Sequence, residues 1–327
     1  MADKFVRVRL TRVDNLDLNL FEFDYDLTMM IFFLDSEERV YARYGGRDPK
    51  DADNRQSLAG LKYTMNSVLH MHGSDKKEYA PKSYESSKSL RDLAGTFRSR
   101  GCMHCHQVKE AIDSSTRRNG QWTREQFWRY PLPENVGLRL DVDRGNVVSS
   151  VEAKSPVANV GVKPGAVVLR LNDVPVHSFG DVQFGLDRAP ADGAIPIVFR
   201  QDSKIESATL KLASGWRKTD VSWRTSIHRY MPYARVFGED LTAAEKKSLG
   251  LKPSQLAFRQ KSLLTQQAKA AGVLAGDIII GADDLELEMD AAGFVNYVQR
   301  NYFIGETITL GIIRDGKRMK LPMALIR

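Results

Sequence analysis

Short runs of alternating hydrophobic and polar residues open the chain and then give way to a helical pattern. Residues 5–10, FVRVRL, alternate apolar with basic side chains and predict a half-buried strand. Two apolar-rich runs flank a polar turn within residues 29–46 and predict a hairpin that ends at two glycines. Apolar residues at helical spacing over 55–72 predict an amphipathic helix. The chain is therefore expected to begin with a strand, a hairpin and a helix.

This order, together with the stretch FEFDYDLTMMIFFLDSEERVYARYGG, resembles the C-terminal half of bacterial thioredoxin-family proteins. The resemblance implies a partial thioredoxin-like α/β domain over residues 1–73. The redox CxxC of that family is absent from this stretch, so we expect no thiol–disulfide chemistry from the domain. A chain that begins halfway through a fold also leads us to expect an incomplete N-terminus, with an export signal among the missing residues.

From residue 132 onward the sequence repeats itself. The same spacing separates Gly161 from Gly272 and Gly165 from Gly276, which indicates a duplicated module. Each copy has a small-residue helix, a glycine turn, an aliphatic strand, a second helix and a closing strand pair. On the stretches SPVANVGVKPGAVVLRLNDVPV and TQQAKAAGVLAGDIIIGADDLEL, the copies resemble the PDZ domains that follow the protease domain in bacterial high-temperature-requirement proteases. The resemblance implies PDZ domains over 132–215 and 216–327.

PDZ domains bind an extended peptide as an added strand beside a helix. The resemblance implies that the peptide-binding residues of the first copy are Val136, Gly137, Leu138, Arg139, Val182 and Leu186. In the second copy it implies an edge strand at 221–224 that faces Phe294, Tyr297 and Val298. The alternative is that one or both modules pack against neighbouring parts of the chain and bind no peptide. No Ser/His/Asp set in a G-x-S-x-G context accompanies the modules, so we set serine-protease function aside.

Composition narrows the class of protein. The 327 residues are 42% hydrophobic and 27% charged, which suits a folded chain of several domains. Two cysteines exclude a disulfide-stapled scaffold, and no apolar run approaches the roughly 20 residues of a membrane-spanning helix. The net charge of +7 is mild for a chain of this length. We therefore expect neither a nucleic-acid partner nor a membrane span.

Both cysteines lie in one motif. Cys102, Cys105 and His106 fit C-x-x-C-H, the attachment sequence of c-type haem. The two thiols would bind the vinyl groups of the macrocycle, with His106 as the proximal iron ligand. The preceding SLRDLAGTFRSRG resembles the first helix of class I cytochromes c, which implies a short helical haem segment within 74–131. The candidate distal ligands are His70, Met71, His72, His228 and Met231, and the position can also be vacant.

Three other interpretations of the motif stay open. Zinc could bind Cys102 and Cys105 with two imidazoles from His70, His72, His104 or His106. A redox-active thiol pair would be favoured by the surrounding basic residues. The cysteines could also be inert residues of a packed turn.

Together these features predict an α+β multidomain protein that is periplasmic or otherwise extracytoplasmic. Our first hypothesis is a c-type haem protein with tandem PDZ domains, acting as a redox-linked or haem-sensing adaptor with peptide tails and a redox protein as partners. The alternative is a non-catalytic PDZ scaffold with structural zinc or a thiol site. Both hypotheses favour binding or electron transfer over enzymatic catalysis.

Overall fold

The computed structural model describes residues 1–73, 87–93 and 104–326. The chain forms two compact units, Met1–Thr219 and Asp220–Arg327. Each unit combines helices with antiparallel sheet, so the predicted α+β multidomain class is confirmed. The finer division into 1–73, 74–131, 132–215 and 216–327 stays a prediction.

The N-terminal part of the first unit is a hairpin followed by a helix. Strands β1 (Ile31–Leu34) and β2 (Val40–Tyr44) pair antiparallel, and helix α1 spans Leu58–His72. The Ser57 hydroxyl caps α1 by accepting a hydrogen bond from Gly60 N at 2.9 Å. These elements confirm the predicted hairpin and helix.

The strand predicted at 5–10 is wrong. These residues pair with no strand, and Val6 and Val8 are 95% and 76% exposed. Alternation alone does not make a strand when nothing covers its apolar face. The N-terminal part therefore has only two of the three elements on which the thioredoxin-like resemblance depends.

Two helices form the next part, α2 (Leu90–Leu93) and α3 (Cys105–Arg118). Both pack on the segment before the hairpin. Their shared core is made by Leu18, Phe23, Tyr25, Leu27, Leu90, Leu93, Val108 and Ala111. Arg118 Nη2 also donates to the Leu93 carbonyl at 2.9 Å, which ties the two helices together.

The first module, residues 133–212, begins with a 3₁₀ helix over Pro133–Val136. Strands β3 and β4 pair with each other, and β5 to β8 form a second sheet in the order β6-β5-β7-β8. The bounds are β3 Leu138–Leu140, β4 Val148–Val151, α4 Pro156–Asn159, β5 Val167–Leu171, β6 Val174–Pro175, α5 Phe179–Asp187, β7 Gly193–Gln201 and β8 Lys204–Leu212.

The second module, residues 238–324, repeats this plan with one larger sheet in the order β14-β13-β11-β10-β9, on which β12 pairs with β11. A short helix, α6, now lies between the first two strands. The bounds are β9 Gly238–Asp240, α6 Ala243–Ser248, β10 Phe258–Gln260, α7 Gln266–Ala270, β11 Ile278–Ala282, β12 Leu285–Glu286, α8 Ala291–Asn301, β13 Thr307–Arg314 and β14 Lys317–Ala324.

Hydrophobic residues that repeat between the copies fill the two module cores, for example Val168 and Ile279 on equivalent strands. Across the described ranges, no helix is both long and apolar enough to cross a membrane.

Candidate functional site

Strand β3 of the first module follows a tight turn that only glycine suits. Gly137 has φ +81°, and a Cβ there would collide with the Ser155 side chain. Its amide closes the 3₁₀ helix by donating to the Glu134 carbonyl at 2.9 Å. Leu138 therefore enters the sheet directly from this turn.

One edge of β3 has no strand beside it, because β3 pairs with β4 alone in the described part of the chain. Glu152 N donates to Gly137 O and Asp141 N donates to Val147 O, so alternate residues of β3 face β4. In an antiparallel pair the residues between them point their N–H and C=O groups the other way. The backbone of Leu138 and Leu140 is thus directed toward the free edge.

The predicted peptide-binding residues of the first module are brought together by the fold. Val136, Leu138, Val182 and Leu186 are fully buried in one hydrophobic cluster, which joins the start of β3 to helix α5. Arg139 is exposed on the strand between them. The structure thus places a strand edge and a helix side by side, as a strand-addition groove requires.

The second module has the same arrangement around β9, the edge strand of its sheet. Lys261 N donates to Phe237 O at 3.1 Å, and Leu241 N donates to Ala257 O at 2.9 Å. These bonds show that every second residue of this strand bonds to β10. Gly238 and Asp240 lie between the bonded residues and direct their N–H and C=O groups away from β10. Within the described ranges, no strand pairs with this edge.

Helix α8 lies beside this edge. Ala291 N donates to Asp240 Oδ1 at 2.9 Å, which anchors the first helical turn to β9. Val295, one helical repeat further on, shares the face of Ala291 and is half-buried. Only Phe294 and Val298 of α8 are buried, and both pack in the module core. The groove between β9 and α8 is therefore open along its helical wall.

The predicted edge strand at 221–224 is wrong. These residues form a turn that leads into a 3₁₀ helix over Thr225–Tyr230, and Arg224 N donates to Val221 O. The true edge strand, β9, lies within the stretch that separates the repeats, where α6 interrupts the repeat spacing. Val236 is the sequence feature that marks this strand. It is buried and lies two residues before β9, as Val136 is buried and lies two residues before β3.

The entrance to the second groove is acidic. Glu239 and Asp240 are exposed on β9. Lys261 Nζ lies 3.3 Å from Glu239 Oε1 at the surface, where such a pair contributes little to stability. Asp290 caps α8 by accepting from Gly293 N at 2.6 Å.

The cysteine motif falls partly outside the described residues, because Cys102 is not among them. Cys105 begins α3 and is half-buried, and burial raises the pKa of its thiol. Its neighbour His106 has Nδ1 3.2 Å from Glu110 Oε1 on the same helix. A raised pKa disfavours the thiolate, the form that reacts and binds metals.

In the described part of the chain, the predicted distal ligands on α1 have other surroundings. His72 Nδ1 lies 3.2 Å from the Tyr41 hydroxyl, Met71 packs against the hairpin, and His70 is exposed. His228 and Met231 belong to the second unit. The described ranges hold no group of three or more His, Cys, Asp or Glu side chains placed to bind a metal ion.

Comparisons with known proteins find partial matches to periplasmic proteases. No protein-family model matches it. A stretch of 63 residues is 43% identical to the periplasmic serine endoprotease DegP of Salmonella typhimurium and covers 19% of this chain and 13% of that protein. A stretch of 146 residues is 25% identical to DegP of Escherichia coli and covers 45% of this chain and 28% of that protein. The chain thus spans less than a third of the length of these relatives.

Solved structures with some likeness include the HtrA-type protease AlgW with a tripeptide. That likeness has a TM-score of 0.28 and 17% identity and covers 60% of this chain and 68% of the other. The homologues are DegP/HtrA-type periplasmic proteases, which carry PDZ domains. The predicted periplasmic or otherwise extracytoplasmic location is confirmed.

These comparisons overturn three predictions. The haem-containing redox adaptor is wrong, because the named relatives are serine endoproteases. The PDZ scaffold alternative is closer to these relatives, but its non-catalytic character has no support. The same relatives contradict the preference for binding or electron transfer over enzymatic catalysis, with which serine-protease function was set aside. Haem c and zinc are wrong as cofactors, since proteases of this type need no haem and no metal-binding group is found among the described residues. The thioredoxin-like interpretation and the redox partner have no support.

Proposed function

We propose that this chain supplies peptide recognition to a periplasmic protein of the DegP type. Its second module binds an extended polypeptide segment in the groove between β9 and α8. The bound segment adds to the sheet as a strand, antiparallel or parallel to β9, and its side chains contact the helix alternately. The endoprotease activity named for the relatives is the reaction that this recognition would serve.

The observation that carries the proposal is the unpaired edge of β9. Gly238 and Asp240 present N–H and C=O groups to that edge, and such unpaired backbone groups are a template for an added strand. The adjoining helix offers an apolar wall at Ala291 and Val295. A peptide strand would satisfy the backbone groups and cover the apolar wall in one step.

The first module contributes a second groove by the same principle. Gly137, Leu138 and Arg139 would form its strand side, and Val182 and Leu186 would form the helix side with Val136 at its base. The free-edge groups of Leu138 and Leu140 support this assignment.

Substitution of Val295 tests the proposal. Phage-displayed decapeptides with free C-termini are selected on the intact protein, and the affinity of the best peptide is measured by fluorescence anisotropy. Val295→Arg places a long charged side chain in the groove, and we expect the peptide to bind roughly tenfold more weakly, about 1.4 kcal/mol. Asn296→Arg adds the same charge one residue further along α8, at an exposed position, and should leave the affinity unchanged.

Equal affinities for the wild type and Val295→Arg would contradict the assignment of the groove. A selection that enriches no peptide at all would contradict peptide recognition by the chain. Far-UV circular dichroism of both variants checks that α8 is intact.

A further inference from the structure

Helix α5 of the first module is covered on every side, whereas its counterpart in the second module is not. All nine residues of α5 are buried. Of the eleven residues of α8, only Phe294 and Val298 are buried. The two helices occupy equivalent places in duplicated modules, so the difference must come from what lies on top of α5.

The N-terminal part of the chain covers the first half of α5, whereas Arg129 and Tyr130 bond to Gln183 and Asp187 in its second half. Arg43, on β2, donates its backbone N–H to Asp181 Oδ1 at 2.8 Å and accepts a hydrogen bond at its carbonyl from the Ser178 hydroxyl. The Arg43 guanidinium carbon lies 3.5 Å from the centroid of the Phe184 ring. Strand β2 thus uses its backbone to bind the first turn of α5.

Arg55 crosses from one wall of the groove to the other. Its Nη2 lies 2.6 Å from Glu134 Oε1, on the 3₁₀ helix that precedes β3. Its guanidinium carbon lies 5.2 Å from the centroid of the Phe179 ring, at the start of α5. Asp48 holds the same guanidinium, with Nε 2.7 Å from Asp48 Oδ2.

Little space is left beneath this cover. Tyr44, Gly45 and Arg55 meet Leu140 and Phe179 around a residual cavity of about 10 Å³. That volume is at the lower limit for a single water molecule, so no peptide strand fits while the cover is in place.

Helix α1 extends the contact beyond the groove. The Ser57 hydroxyl donates to Asp143 Oδ1 at 2.6 Å, and the Tyr63 hydroxyl donates to Asn146 Oδ1 at 3.0 Å. Ser67 Oγ lies 2.8 Å from Nδ1 of the buried His177. These contacts hold the N-terminal part on the module from several directions.

We infer that residues 43–57 of this chain are the resident occupant of the first groove, which an external peptide must displace. The inference rests on the proposed function of the modules. Because binding requires the open form, the apparent affinity of the first groove is lowered by the fraction of molecules in which it is open. Among the described residues of α8 only Phe294 and Val298 are buried, so peptide binding to the second groove requires no such displacement.

Charge reversal at Arg55 tests the inference. Arg55→Glu places a carboxylate beside Glu134 and Asp48, and Arg55→Glu/Glu134→Arg restores an opposite pair across the groove. The measured quantity is the hydrogen-exchange rate of the Arg43 amide, observed by NMR. This amide donates to Asp181 on α5. We expect its exchange to be about tenfold faster or more in Arg55→Glu and to return toward the wild-type rate in the double variant.

Two further measurements keep the result interpretable. Exchange in β11 and β13 of the second module shows whether the variant is folded. Calorimetric titration with the peptide selected above should give one site per chain in the wild type and two in Arg55→Glu.

Unchanged exchange at Arg43 in Arg55→Glu would overturn the inference, as would faster exchange that the double variant does not reverse. Faster, reversible exchange with the stoichiometry still at one would uphold the contact, and it would contradict peptide binding by the first module instead.

Discussion

Asp181 is one of the residues at which the N-terminal part contacts the first module. It is 1% exposed, and its carboxylate accepts hydrogen bonds from Arg43 N at 2.8 Å and from His177 N at 3.0 Å. Burial raises the pKa of Asp181 to about 7, because desolvation outweighs the Arg43 guanidinium 4.0 Å away. The protonated carboxyl is therefore the favoured form in the folded protein below about pH 7.

The raised pKa predicts a pH dependence of stability. An unfolded aspartate has a pKa of about 3.9, so the folded state holds this proton more tightly. The tighter proton binding by Asp181 stabilises the folded state. This stabilisation is complete below about pH 4 and is lost as pH rises through 7. Asp181→Asn cannot ionise, so we expect the free energy of unfolding in urea to fall less between about pH 4 and pH 7 in this variant than in the wild type. Parallel pH profiles for the two proteins would contradict the raised pKa.

At the scale of elements, local pattern predicted most of the structure. The hairpin, helix α1 and the repeated strands and helices of the modules appear where periodicity and glycine spacing indicated them, within a few residues. The strand at 5–10 failed because its alternation met no partner. Strand β9 was misplaced because α6 shifts the repeat spacing. The closure of the first groove had no local signal, since contacts such as Arg55 to Glu134 join residues far apart in sequence.

The identity of β9 as the edge strand predicts unequal effects of two glycine substitutions in one sheet. A Cβ at Gly238 would collide with the Arg259 carbonyl, whereas a Cβ at Gly311 would lie 3.7 Å from its nearest neighbours. We expect Gly238→Ala to lower the free energy of unfolding by about 1–3 kcal/mol and to weaken peptide binding. Gly311→Ala should change the free energy by about 0.5 kcal/mol or less. Urea unfolding and the anisotropy assay measure both, and equal effects at the two positions would be evidence against this packing of β9.

At the scale of the whole molecule, the two units have separate hydrophobic cores. A unit with its own core can fold independently. The two modules have equivalent grooves that differ in their contacts. The first groove is occupied by residues of the chain itself, and the second is open along its helix. Such a difference would let one protein bind a first segment readily and a second only after its N-terminal part has moved.

This separation predicts that residues 220–327 fold and bind peptide without the rest of the chain. We expect the isolated unit to give a dispersed NMR spectrum and to bind the selected peptide within about twofold of the affinity of the full chain. A folded unit that has lost the affinity would show that the first unit forms part of the site.

The measurement that tests the central claim most directly is amide hydrogen exchange at β9 with and without the selected peptide. The amides of Gly238 and Asp240 point to the free edge, whereas that of Glu239 already faces β10. Strand addition predicts that bound peptide slows exchange at Gly238 and Asp240 by about tenfold or more and leaves Glu239 little changed. Saturating peptide that leaves Gly238 and Asp240 exchanging at their free rates would contradict strand addition at this edge.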